Sequence, residues 1–263
     1  MISMKRFILT LLCFLCFGIA FGNEPSVVSG DYIIDDWKIN ISEKGNISIM
    51  DYKGSSENVA IPDNFDGFPV VSIGENAFQN KGSLVSVTIP DSVTLIDWYA
   101  FESCSKLKSV VIGKSVETIS KYAFKDCESL EKIVIPDSVK IIKESAFYGC
   151  ENLTSVDFGN SLEEIGNEAF RQCSSLTSVV IPDSVKDIHF GAFSDCERLT
   201  DFTIGKSVLR FDYSQIFGYW AETPHTITLK NAGTDLINVP SSVKVIKPKA
   251  KSLREQMQER NDK

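Results

Sequence analysis

The chain of 263 residues has only two histidines, His189 and His225, far apart in sequence. It shows no phosphate-binding loop, no nucleophile elbow and no metal motif. A triad, a histidine-ligated metal or a phosphate cradle therefore has no residues to build it, and neither a catalytic residue nor a cofactor or metal ligand is assigned. Positive charge is also short: 27 Lys and Arg stand against 35 Asp and Glu, a net −8. Such an acidic chain is a poor partner for nucleic acid or an anionic membrane. Long apolar runs are missing too, apart from Phe7 to Phe21, which is short for a membrane span. What remains is globular in composition, 43% hydrophobic and 24% charged, with no disordered bias.

That one apolar run follows Lys5 and Arg6 and ends at Ala20-Phe21-Gly22. Small residues at −3 and −1 suit cleavage before Asn23, so residues 1–22 are read as a signal peptide. Lipoprotein processing fits less well, because Leu12 and Leu15 precede Cys13 and Cys16 where a small residue is expected. The expectation is an exported chain, periplasmic, cell-surface or secreted, with no stable membrane span after processing. Loss of Lys5 and Arg6 takes the net charge from −8 to −10.

The rest of the chain is organised by a unit of 23 residues. Its cleanest copy is Ile135-Pro136-Asp137-Ser138-Val139, then Ile142, Ala146-Phe147, Cys150, Leu153 and Val156. The same skeleton starts at Ile89, Ile112, Phe158, Ile181 and Ile204, without slippage. A fixed period of this size means stacked like units rather than one globular core. Within a unit, Val110 and Ile112 alternate with exposed positions as in a strand. Val116 and Ile119 suggest a second short extended piece. Ala123, Phe124, Cys127 and Leu130 fall at i, i+1, i+4 and i+7, which predicts a short helical turn.

Domain limits follow from the repeat. Residues 23–60 read as a capping hairpin, with Trp37, Ile39 and Ile41 in one run, Ile47 and Ile49 in the other, and Lys44-Gly45-Asn46 between them. Residues 61–211 are the repeats; the first copy carries five extra residues around Asp66-Gly67. Residues 212–246 read as a degenerate closing layer, in which Tyr213, Phe217, Tyr219 and Trp220 replace the usual pattern. Residues 247–263 form a polar tail.

The columns of this array favour core over chemistry. Phe78, Phe101, Phe124, Phe147, Phe170 and Phe193 form an aromatic spine. Cys104, Cys127, Cys150, Cys173 and Cys196 are read chiefly as buried free thiols, with ladder disulfides as the alternative. A serine column, Ser92 to Ser207 at the same spacing, reads as turn hydroxyls satisfying backbone groups. One feature is finer than the period. Pro90, Pro136 and Pro182 alternate with Gly113, Gly159 and Gly205, and the next position alternates Asp91, Lys114, Asp137, Asn160, Asp183, Lys206. Glu117, Lys140, Glu163 and Lys186 follow a similar trend. Alternating signs on adjacent layers fix register, and the pattern implies an array grown by duplicating a two-unit block.

The motif IPDSVxxIxxxAFxxCxxLxxV resembles the BspA-like, or Treponema-type, leucine-rich repeats over about residues 59 to 211. The resemblance implies a right-handed leucine-rich-repeat solenoid, mainly β with short helical turns, a parallel sheet on one face and capped ends. It also implies surface proteins that adhere to host proteins or other cells, with no shared enzymatic activity.

Two surfaces are therefore candidates for function. The first is the exposed face of the main sheet: Ser109, Val111, Lys132, Val134, Ser155, Asp157, Ser178 and Val180. The second is an aromatic rim of Trp98, Tyr99, Tyr122, Tyr148 and Phe190, in columns that are polar in other copies. The expected function is a noncatalytic module binding a protein ligand on a host or other cell. The alternative is a structural or self-assembling envelope protein.

Overall fold

The computed structural model describes residues 29–218, 224, 226–231 and 233–248. The expected signal peptide (residues 1–22), Tyr219, Trp220, His225 and the residues from 249 on lie outside the described residues. The fold is a mostly-β solenoid of parallel strands. Each layer has a front strand of three or four residues, for example Ser109–Val111, Lys132–Val134, Ser155–Asp157 and Ser178–Val180. Its central residue is apolar and its two neighbours face solvent, which is the two-residue alternation the sequence shows. A second, two-residue strand follows, such as Thr118–Ile119 or Ile141–Ile142, and pairs in parallel with its copies above and below.

The third side of the regular layers is not helical. Two residues four apart take a left-handed backbone in these layers: Tyr99 and Ser103, Tyr122 and Asp126, Ser145 and Gly149, Glu168 and Gln172. A right-handed helix cannot run through such positions. Backbone donors alternate instead. The N–H groups of Ala123 and Lys125 close turns onto Ser120 and Tyr122, whereas those of Phe124 and Asp126 reach the next layer at Ala146 and Tyr148, 2.8 and 2.7 Å away. The i, i+1, i+4, i+7 pattern marked the buried face correctly, but that face belongs to a ladder of turns. The one helix among the described residues is Tyr213–Phe217, capped by Asp212, whose carboxylate accepts the Gln215 N–H.

The interior is filled by columns. The alanine, phenylalanine, cysteine and leucine of each repeat are all buried. The spine rings stack nearly parallel, 4.8 to 5.4 Å apart from Phe78 to Phe193. Tyr52 stacks on Phe78 at one end, with Trp37 packed on both. At the other end Phe202 meets Phe193 edge-on at 73° and stops the stack. Five cysteines are free and buried. Each thiol donates to a spine carbonyl 26 residues earlier, as Cys150 does to Phe124 at 3.3 Å. Burial pushes the Cys104 and Cys196 thiols up to about 12 and the three between them upward as well.

Three antiparallel strands, Gly30–Ile34, Trp37–Ile41 and Ile47–Tyr52, continue the two-residue ladder at the N-terminal end. The first of them has no counterpart in the sequence reading. At the C-terminal end, Thr226–Leu229 and Lys244–Ile246 add two further parallel strands to the front sheet, and Asp235–Ile237 pairs with Arg210–Asp212.

Candidate binding face

The front strands place all eight candidate face residues on one exposed surface. Val111, Val134 and Val180 are 58%, 60% and 55% exposed. Register sets them in rows: Ser109 lies beside Lys132 and Lys132 beside Ser155, while Val134 lies beside Asp157.

The front sheet is not uniform. Three residue pairs join Ser86–Thr88 to Ser109–Val111, and three join Lys132–Val134 to Ser155–Asp157. Only one joins Ser109–Val111 to Lys132–Val134, and the sheet divides altogether between Ser155–Asp157 and Ser178–Val180. The alternation of proline and glycine supplies the reason. A Cβ on Gly113 would sit 2.1 Å from the Pro90 carbonyl oxygen, on Gly159 2.4 Å from that of Pro136, and on Gly205 2.0 Å from that of Pro182. A glycine layer therefore closes tightly onto the proline layer before it. There the N–H of Ile89, Ile135 or Ile181 reaches the carbonyl of Val111, Asp157 or Thr203, each at 2.8 Å. The carboxylates of Asp91, Asp137 and Asp183 also accept the backbone N–H of Lys114, Asn160 and Lys206. The next junction brings in a proline ring, which fills the space a glycine leaves open. Among the described residues, the matching N–H groups of Ile112 and Phe158 meet no carbonyl. Ser138 and Ser184 bridge these looser junctions by donating to Val116 and Leu162 at 2.7 and 2.6 Å.

Two clefts open at the looser junctions. One of about 530 Å³ lies among Val111, Ile112, Val134 and Pro136. The other, about 420 Å³, lies among Val156, Asp157, Val180 and Pro182, with Asp183 and Lys230 at its edge. Hydrogen bonds from Lys206 and Lys230 lower the Asp183 carboxyl to about 2, well under the usual carboxylate value. The sequence reading named no cleft; the proline–glycine alternation is the signal that accompanies them. Lys230, from the degenerate end, had no such signal.

The aromatic rim does not come together as one patch. Tyr99 and Tyr122 stack at 4.9 Å, and the Tyr122 hydroxyl donates to Glu144, which also holds Lys121 at 2.7 Å. Tyr148 lies between the cationic groups of Lys125 and Arg171, each 5.9 Å from its ring centre. Trp98 and Phe190 are about half exposed but end the same column, with Lys121, Glu144 and Asn167 between them. The charge alternation also works differently from a simple ladder. Glu163 and Lys186 pair at 2.5 Å, but Lys140 meets Glu117 through its backbone N–H. Among the described residues, no group of His, Cys, Asp or Glu is placed to hold a metal, and no helix is long and apolar enough to cross a membrane.

The stacked parallel strands and buried columns define a leucine-rich-repeat solenoid, a class that builds surfaces and is generally noncatalytic. Residues 117–220 match the family model described as BspA type leucine rich repeat region, in six copies, and the repeats over that stretch are of the BspA type. The chain is similar to the crystal structure of the Treponema pallidum leucine rich repeat protein, at 25% identity and a TM-score of 0.53 over 88% of this chain and 95% of that one. It is also similar in fold to a leucine rich cell surface protein of Faecalibacterium prausnitzii, at 23% identity and a TM-score of 0.56 over 84% and 73%. No curated protein matches the chain significantly.

Proposed function

We propose that this chain is an exported, noncatalytic binding protein whose front sheet takes a protein ligand on a host or another cell. One observation carries the assignment: three solvent-facing valines flank clefts on the open side of the sheet. Strand propensity accounts for an isolated exposed valine, but not for a break in the ladder beside each one. Export rests on the charged and apolar segment before Asn23. A photo-crosslinking residue at Val134 should capture a protein partner on intact cells, and the same residue at Glu117, on another side of the layer, should not. Equal capture at both positions, or none at Val134, refutes the assignment.

A second reading has its own support. Among the described residues, both ends of the solenoid finish on a strand with one unpaired edge, Gly30–Ile34 with Ile33 62% exposed and Lys244–Ile246 with Ile246 41% exposed. End-to-end stacking through these edges would make the chain a structural envelope protein. Analytical ultracentrifugation separates the two, since stacking gives growth in size with concentration.

A further inference from the structure

The two clefts are one cleft repeated. Val111, Ile112, Lys114, Val134, Pro136 and Asp137 line the first. Shifted by two repeats of 23, these become Asp157, Phe158, Asn160, Val180, Pro182 and Asp183, and all six line the second. Between Phe124 and Phe170 the spine rings are 5.2 and 5.1 Å apart, which puts the two clefts about 10 Å from each other along the solenoid.

A ligand engaging both must present side chains at that spacing on one face. A β-strand repeats a face every two residues, roughly 6.6–6.8 Å, and falls out of step. A polyproline II helix repeats every three residues of about 3.1 Å, or ~9.3 Å. We infer that the clefts seat consecutive same-face side chains of a polyproline II peptide lying along the solenoid axis. The inference rests on the front sheet being the binding surface.

The chemistry of each cleft sets the peptide sequence. The first is walled by Val111 and Val134 and takes an apolar side chain. In the second, Asp157 stands where the first has Val111. Asp157 forms no ion pair among the described residues, whereas Asp183 is held by Lys206 and Lys230. The second cleft therefore takes lysine or arginine, in keeping with the net −8 of the chain. Among the described residues the Phe158 and Thr177 N–H groups, which border the break, meet no carbonyl, and a polyproline II backbone leaves its carbonyls free to accept from such donors. The ligand motif is an apolar residue and a basic residue three positions apart in a proline-rich segment.

Fluorescence anisotropy with a labelled peptide of four Leu-Pro-Pro-Arg-Pro-Pro units tests this, because that sequence keeps the spacing in both chain directions. The control lengthens the spacing to four with an extra proline in each half-unit. The three-residue peptide should bind about tenfold more tightly. Val134→Glu should abolish the binding, and Asp157→Val should move the preference toward a peptide with leucine in place of arginine. All these side chains are exposed, so thermal unfolding should not change. Equal affinity for the two spacings, or indifference to both substitutions, overturns the inference. Binding of neither peptide also overturns it while leaving the assignment of the face intact, since the crosslink at Val134 tests that independently.

Discussion

Two kinds of junction alternate along this solenoid. Where a glycine layer follows a proline layer, the front strands pair fully and the corner N–H groups are bonded. Where a proline layer follows a glycine layer, the front edge opens. The other sides do not share the alternation. The N–H of Ser120, Lys143, Gly166 and His189 reaches the layer before it at 2.8–2.9 Å without distinction. Spine rings are 5.1 Å apart across the tight junctions and 5.2 and 5.4 Å across the loose ones. A repeat protein can thus keep one uniform core and still vary its surface, because each side of a layer is bonded on its own.

The largest expected effect tests whether the core is indifferent to junction type. Phe147 sits in a proline layer and Phe170 in a glycine layer. Truncating either to alanine removes a fully buried ring with neighbours on both sides and should cost about 3–5 kcal/mol in denaturant unfolding. The two costs should agree closely. A difference well beyond error would mean that the opening at the front reaches the spine.

A smaller effect should distinguish the junctions themselves. Gly159→Ala forces a methyl against the Pro136 carbonyl and should destabilise by about 1–3 kcal/mol. Gly82, whose added methyl would come no closer than 3.8 Å to the Ser105 hydroxyl, should tolerate the same change with little loss. Hydrogen exchange gives the comparison without mutation. The Ile135 and Ile181 amides should exchange at least about tenfold more slowly than those of Ile112 and Phe158. Equal protection at all four would remove the distinction between tight and loose layers.

Much of the core could be read in the sequence, because the columns Ala-Phe, Cys and Leu repeat without slippage and every member is buried. The turn geometry could not. Positions such as Tyr122 and Asp126 adopt a left-handed backbone although no glycine marks them; the ladder between layers imposes it, and that is a tertiary effect. The serines were legible as turn hydroxyls, but their target was not, since Ser138 reaches a carbonyl 22 residues back. On the candidate face, the outward position of Val111, Val134 and Val180 followed from strand alternation. The clefts beside them depend on how closely two backbones approach, which alternating Pro and Gly only hints at.

The smallest effect concerns the ion cluster at the edge of the second cleft. Folding lowers the Asp183 carboxyl to about 2, first through Lys206 and then through Lys230. A carboxyl whose folded value lies below its unfolded one contributes stability above the unfolded value, near 3.9. That contribution is lost as the pH falls through the folded value. The native protein should therefore lose this part of its stability between about pH 5 and pH 2. Asp183→Asn should remove it at neutral pH and flatten the acid limb of the stability curve. The cluster is close to half exposed and screened by water, so the difference should not exceed about 1 kcal/mol. Salt should reduce it further. Asp137 occupies the same corner two layers earlier and accepts the Asn160 backbone N–H, with no lysine on its carboxylate among the described residues. Asp137→Asn breaks no lysine contact among the described residues and should cost less at neutral pH than Asp183→Asn. Equal losses from the two variants would mean that the shared backbone contact, and not the two lysines, holds this corner.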